Sequence, residues 1–139
     1  MSFFAMTGQV SAVGKEPAAA AKARSRVVMV DDEPSILETW RVILTMSGYE
    51  VACCADPVSA LEKIAAGCDC VITDYHMPRM SGVDLIRAAR PWSKAKFILM
   101  TANASEPVTQ EALSAGAECI VHKPTSPPLV LQKLASLLN

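Results

Sequence analysis

Five polar residues of this 139-residue chain stand where short apolar runs end. Asp31 and Asp32 follow VVMV, Asp74 follows VIT, Thr101 closes FILMT, and Lys123 comes just after CIV. Gathered at one point, a carboxylate nucleophile, further carboxylates, a hydroxyl and an ammonium are the parts for phosphoryl transfer to an aspartate. That reaction asks mainly for positioning and for neutralisation of the phosphoryl oxygens. An ionised carboxylate attacks without a general base, so no serine or histidine triad is needed. Crowded carboxylates repel and raise one another's pKa, so such a site needs cations. Lys123 supplies one. A hard divalent ion brings the formal sum of three carboxylates and one ammonium to zero, and an oxygen-only ligand set points to Mg²⁺. Each residue also has an ordinary reading: Asp31 and Asp32 as a helix cap, Asp74 as a turn aspartate before YHMP, Thr101 as a strand-end cap, Lys123 as a solvated side chain. Their joint placement favours the chemical one.

The elements that must position them are legible from about residue 26 onward. Runs at 27–30, 50–54, 70–73, 97–101 and 119–121 are mostly apolar throughout, as strands covered on both faces must be. Between them lie segments of helical period. A first helix is expected to begin near Pro34 or Ser35, to carry Ile36, Trp40, Ile43 and Leu44 on one side, and to stop at Gly48. A second is expected over 57–66 with Val58, Leu61, Ile64 and Ala65 inward. Others are expected over 82–90, 105–115 and 127–138, the last with Val130, Leu134, Leu137 and Leu138 as its stripe. Strict alternation of five strands and five helices predicts an α/β fold, a doubly wound five-stranded parallel sheet in the order 2-1-3-4-5, flavodoxin-like (βα)5. In that order strands one, three, four and five are contiguous. Asp31, Asp32, Asp74, Thr101 and Lys123 then share the rim of strand carboxyl ends where such sheets bind ligands.

Composition bounds the partners. Hydrophobic residues make up 51% and charged residues 19%, which is ordinary for a globular chain. Thirteen basic against fourteen acidic side chains give a net charge of -1, so no chain-wide positive field attracts nucleic acid or anionic membrane. The apolar runs are far shorter than the roughly 18 residues of a membrane span. The start of the chain lacks the basic-then-apolar pattern of a secretory signal, so a cytoplasmic location is expected. Residues 1–24 lack hydrophobic periodicity and read as a flexible N-terminal extension ahead of a domain over 25–139. Five cysteines, at 53, 54, 68, 70 and 119, include no C-x-x-C pair and have no histidine cluster beside them. They read as small buried hydrophobes kept reduced in a cytosol.

The motifs VVMVDDEPS (27–35), VITDYHMPRMSG (71–82), LMTA (99–102) and AGAECIVHKP (115–124) together resemble the receiver domains of two-component response regulators. The resemblance implies that Asp74 accepts a phosphoryl group from a histidine kinase, a histidine phosphotransfer protein or a small phosphodonor, with Mg²⁺ bound. It implies Asp32 and Asp74 as direct metal ligands, Asp31 acting through water, and the backbone carbonyl of His76 as a further ligand. Thr101 and Lys123 would hold phosphoryl oxygens, with a cis peptide at Pro124. His76 and Asn103 would tune the lifetime of the phosphoryl group, which the domain itself removes. A downstream protein would read the fourth helix, fifth strand and fifth helix. Reversing a two-state population from 1:99 to 99:1 takes about 5.5 kcal/mol of differential interaction.

The chain departs from the pattern at Ile120, where many receivers place a tyrosine or phenylalanine three residues before the lysine. That puts the usual threonine–aromatic coupling in doubt. With sequence ending just past the fifth helix, the chain is expected to lack an output domain and to act through protein partners, as a stand-alone receiver or as a segment of a larger protein. Three other readings are weighed against the phosphoacceptor: an interaction module that reads no phosphate, a phosphatase with an aspartyl intermediate, and a flavin carrier. The phosphatase wants an acid where His76 stands, and the flavin carrier wants a phosphate-cradling loop where Asp31, Asp32 and Glu33 stand.

Overall fold

A computed structural model describes residues 25–138, so the expected extension over 1–24 lies outside the described residues. The chain alternates strand and helix as β1 (Arg26–Val30), α1 (Pro34–Met46), β2 (Glu50–Cys54), α2 (Pro57–Ala66), β3 (Cys70–Asp74), α3 (Gly82–Ala89), β4 (Lys96–Thr101), α4 (Glu106–Ala115), β5 (Cys119–His122) and α5 (Pro127–Leu138). A short 3₁₀ turn, Arg90–Trp92, follows α3. The strands form one parallel sheet in the order β2-β1-β3-β4-β5. This is the expected topology, with every expected strand and helix present.

Alternate residues of each strand point to opposite faces, and each face has its own core. Val28, Val30, Val71, Phe97 and Leu99 meet α2, α3 and α4 through Ile64, Val83, Leu85, Ile86 and Ala112. Val27, Met29, Ile72, Ile98 and Met100 meet α1 and α5 through Trp40, Leu44, Val130 and Leu134. Both faces are dry, which is why β3 has no exposed residue. Among the described residues, no helix is long and apolar enough to cross a membrane.

Two helix faces differ from expectation. In α1 the buried residues are Leu37, Trp40 and Leu44, while Ile36 and Ile43 are half-buried at the margin. In α2 they are Pro57, Ala60 and Ile64; Leu61 is half-buried, Ala65 is exposed, and Val58 is 56% exposed. Ala60 is fully buried, and two residues apart on a helix is about 200° of rotation, so the face that buries Ala60 leaves Val58 outward. The cysteines divide as well. Cys54 and Cys70 are buried, but Cys53, Cys68 and Cys119 are only half-buried, and none is in a disulfide. Burial pushes the Cys54 and Cys68 thiols up to about 11 and the Cys70 thiol higher still, so all three stay protonated at neutral pH.

Candidate phosphoryl-acceptor site

Strand register builds the site. Val30 pairs with Thr73, so Asp31 and Asp74 are the next residues out on neighbouring strands. Asp74 pairs with Met100, and Thr101 pairs with His122. The Tyr75 N–H donates to the Met100 carbonyl at 2.9 Å, and the Lys123 N–H to the Thr101 carbonyl at 2.8 Å. These bonds carry the ladder one residue past each strand end and fix where the side chains leave the sheet.

Asp31, Asp32 and Asp74 each offer a carboxylate oxygen, and these oxygens all lie within 4.8 Å of one another. Asp31 is 2% exposed, Asp74 is 8% exposed, and Asp32 faces solvent. The Lys123 ammonium donates to Asp74 Oδ1 at 3.2 Å and stands 3.7 Å from Asp31 Oδ2. One ammonium for three carboxylates leaves two net negative charges in a partly dry pocket, and an all-oxygen donor set suits a hard divalent cation. Lys123–Pro124 is cis. Burial alone would lower the Lys123 pKa, but the Asp74 hydrogen bond and the charges of Asp74, Asp31 and Glu33 prevail and raise it, keeping the ammonium charged.

The capping role weighed for the acidic pair takes another form. The N-cap of α1 is Glu33, whose side chain makes no cap. Asp31 instead accepts the Glu33 N–H at 2.9 Å and orders the turn between β1 and α1. Thr101 is buried, and its hydroxyl is occupied: it accepts the Asn103 N–H at 3.0 Å and donates to the Asn103 carbonyl at 3.3 Å. His76 lies two residues beyond Asp74, with its ring exposed and edge-on to Tyr75 at a centroid distance of 4.8 Å. Ile120 is half-buried against the core of the α2, α3 and α4 face.

Sequence reasoning missed one residue that shapes the site. Gly82, the first residue of α3, packs directly on the Asp74 backbone, and its N–H donates to the Tyr75 carbonyl at 2.8 Å. A Ser81–Asp84 capping box fixes that helix start. The glycine is visible in the motif at 71–82, but its close approach to β3 is a tertiary fact without a local signal. Beside the acidic cluster lies a cleft of about 360 Å³ lined by Ile36, Trp40, Met100, Lys123 and Pro124. Another, of about 320 Å³, opens at the opposite rim among Arg26, Glu50 and Lys63.

A pH dependence follows from Asp31. Burial is the largest influence and pushes its carboxyl above the ordinary 3.8. The Glu33 N–H opposes this, the Asp74 charge adds to it, Lys123 opposes it and Asp32 adds to it. The folded state therefore holds this proton more tightly than the unfolded chain does. In the window just above pH 3.8, the group's contribution to stability falls as pH rises. Urea unfolding in EDTA is expected to show Asp31→Asn gaining on the wild type as pH rises through that window.

A family model described as the response regulator receiver domain matches residues 27–135. The chemotaxis protein CheY of Treponema pallidum is 36% identical over 119 residues, covering 82% of this chain and 83% of that protein. The transcriptional regulatory protein KdpE of Mycobacterium tuberculosis is 38% identical over 99 residues, and that match spans 70% of this chain but 44% of the regulator. Among solved structures, a CheY-like receiver domain protein from Methanospirillum hungatei superposes with a TM-score of 0.80 at 32% identity, covering 83% of this chain and 94% of that one. CheY4 of Vibrio cholerae does so at 0.78 and 30% identity, covering 82% and 98%. The fold, the acidic pocket and these matches agree: the chain belongs to the receiver domains of response regulators.

Proposed function

We propose that this domain is a Mg²⁺-dependent phosphoacceptor in two-component signalling, taking a phosphoryl group onto Asp74. The observation that carries the reading is a buried Asp74 carboxylate held by the Lys123 ammonium inside a group of three aspartates. Receiver domains bind Mg²⁺ at an acidic pocket, and the Asp31, Asp32 and Asp74 oxygens suit a hard cation; Asp32 and Asp74 would hold it directly and Asp31 through water, with the His76 backbone carbonyl as a further ligand. When bound, the ion supplies two positive charges next to the phosphoryl oxygens.

An Asp74 oxygen attacks phosphorus, the bond to the donor's leaving group breaks, and that group departs with its electron pair and is protonated. The product is an acyl phosphate. Lys123 moves from pairing with a carboxylate to pairing with a phosphoryl oxygen. For Thr101 to donate to another of those oxygens, its hydroxyl must give up the Asn103 carbonyl, which links acceptance to a rearrangement of the loop between β4 and α4. Hydrolysis of the acyl phosphate by the domain itself resets it, with His76 and Asn103 flanking the path of water. The donor is a histidine kinase or a histidine phosphotransfer protein. The readout face is α4, β5 and α5, where Leu113 and Leu129 are exposed for a downstream protein. Direct contact with nucleic acid or membrane has no support in the charge balance, and the setting is cytoplasmic.

Incubation with acetyl phosphate and Mg²⁺ is expected to add one phosphoryl group by intact mass. EDTA should prevent it, and borohydride trapping should map it to Asp74. A wild-type protein that stays unmodified would overturn the proposal.

Lys123→Ala separates the two jobs of the ammonium. Lys123 and the metal share the same carboxylates, so losing its charge removes a repulsion and should tighten Mg²⁺ about tenfold. The same loss removes a charge from the phosphoryl oxygens and should slow acceptance about 100-fold at saturating metal. Trp40, buried beside Met100 and Lys123, reports the titration by fluorescence.

A further inference from the structure

The exposed end of β5 carries a contact that the chemistry above does not use. His122 Nε2 lies 3.0 Å from the Ala102 carbonyl, across the loop that follows β4. A carbonyl only accepts, so the imidazole carries its proton on Nε2 and donates. Ala102 sits between Thr101, whose hydroxyl the Asn103 backbone holds on both its donor and acceptor sides, and Asn103 itself. Behind it, the Lys123 N–H holds the Thr101 carbonyl at 2.8 Å. Three consecutive residues of β5 and its end thus divide the work. Val121 is buried in the core, His122 reaches forward to the loop, and Lys123 reaches the acceptor. Ile120 has only an aliphatic side chain, half-buried against the opposite core, with no donor to offer the loop.

We propose that His122 is the positioning residue that ties the Thr101 loop to the α4, β5 and α5 face, holding the Ala102 carbonyl while the Thr101 hydroxyl stays on Asn103 and turning when that loop moves. The proposal rests on the phosphoacceptor reading. When the Thr101 hydroxyl turns from the Asn103 backbone to a phosphoryl oxygen, the two bonds that hold Asn103 are lost, the loop past Thr101 is released, and the Ala102 carbonyl then leaves the position at which the ring meets it. Because the ring is exposed, its new orientation is visible to a partner docked on that face. Occupancy at Asp74 is thereby converted into a change of surface shape and of donor placement, without an aromatic residue at position 120.

The test uses the full chain with acetyl phosphate or beryllium trifluoride, with ¹⁵N imidazole and backbone amide spectra as the readout. His122 is told apart from His76 by the signals lost in His122→Gln. In the wild type, modification should shift the His122 Nε2–H signal together with the Ala102 and Asn103 amides. His122→Ala frees the loop and should raise the rate of acetyl phosphate acceptance about threefold, the size of effect for one exposed hydrogen bond. His122→Gln, whose amide N–H still reaches a carbonyl, should return the rate to the wild-type value. An Asp74 mass adduct accompanied by an unmoved imidazole signal, or Ala and Gln variants that behave alike, would overturn this inference while leaving the phosphoacceptor intact. Absence of the mass adduct itself would take both down.

Discussion

Asp74→Asn is expected to abolish the phosphoryl adduct, leaving less than about 1% of the wild-type yield, while the protein stays folded. An amide oxygen is close in shape to the carboxylate oxygen but is uncharged and a poor nucleophile. Its Oδ1 still accepts from Lys123, which stands 3.2 Å from that atom in the native protein. What changes is charge: the pocket falls from two net negative charges to one, and Asp31 loses the neighbour whose repulsion adds to its raised pKa. The metal-free variant should therefore unfold at a temperature no lower than the wild type, by calorimetry in EDTA. On the proposed reading, in which Asp74 would hold the ion, the wild type should gain more in saturating Mg²⁺ than the variant does. Loss of the adduct combined with retained thermal stability assigns the chemistry to this carboxylate. An adduct that survives on another residue would refute the assignment.

How far the sequence leads depends on whether a residue's signal is local. The strands were legible because each is an apolar run between polar breaks, and the site was legible because those breaks hold Asp31, Asp32, Asp74, Thr101 and Lys123. Parallel register then converts strand-end residues into neighbours. Helix faces were read less well. Hydrophobicity favours Val58 over Ala60 for the inside of α2, yet α2 turns the face of Pro57, Ala60 and Ile64 inward and leaves Val58 exposed. Likewise, nothing in the order of residues says that Thr101 is tied to Asn103, or that His122 reaches across to Ala102. These contacts join one loop to another strand, and no propensity or period encodes them.

Gly82→Ala is expected to damage both stability and acceptance. A Cβ at this position would lie 2.3 Å from the Asp74 carbonyl oxygen and 2.8 Å from Leu99 Cδ1. The leucine can rotate, but the carbonyl cannot: β3 is paired on both sides, and the Thr73 hydroxyl donates to that same oxygen at 3.0 Å. Relief must come from α3 moving away from the sheet, which strains the Gly82 to Tyr75 hydrogen bond and opens the contact of Val83 and Leu85 with the core. Overpacking of this kind costs about 3 kcal/mol, or about 12 °C in Tm for a domain of this size. Asp74 keeps its place in β3, so the effect on acceptance comes through the loop over 75–81 that α3 carries with it and that holds His76 beside the site; a misplacement of about 1 Å there should slow acceptance roughly 100-fold. Gly67→Ala is the control. Gly67 has φ +111° and ψ 125° with nothing within 4 Å of an added Cβ, so that change incurs backbone strain alone, about 1 to 3 kcal/mol, with no effect on acceptance. An acceptance rate in Gly82→Ala no slower than in Gly67→Ala would show that α3 does not act on the acceptor site.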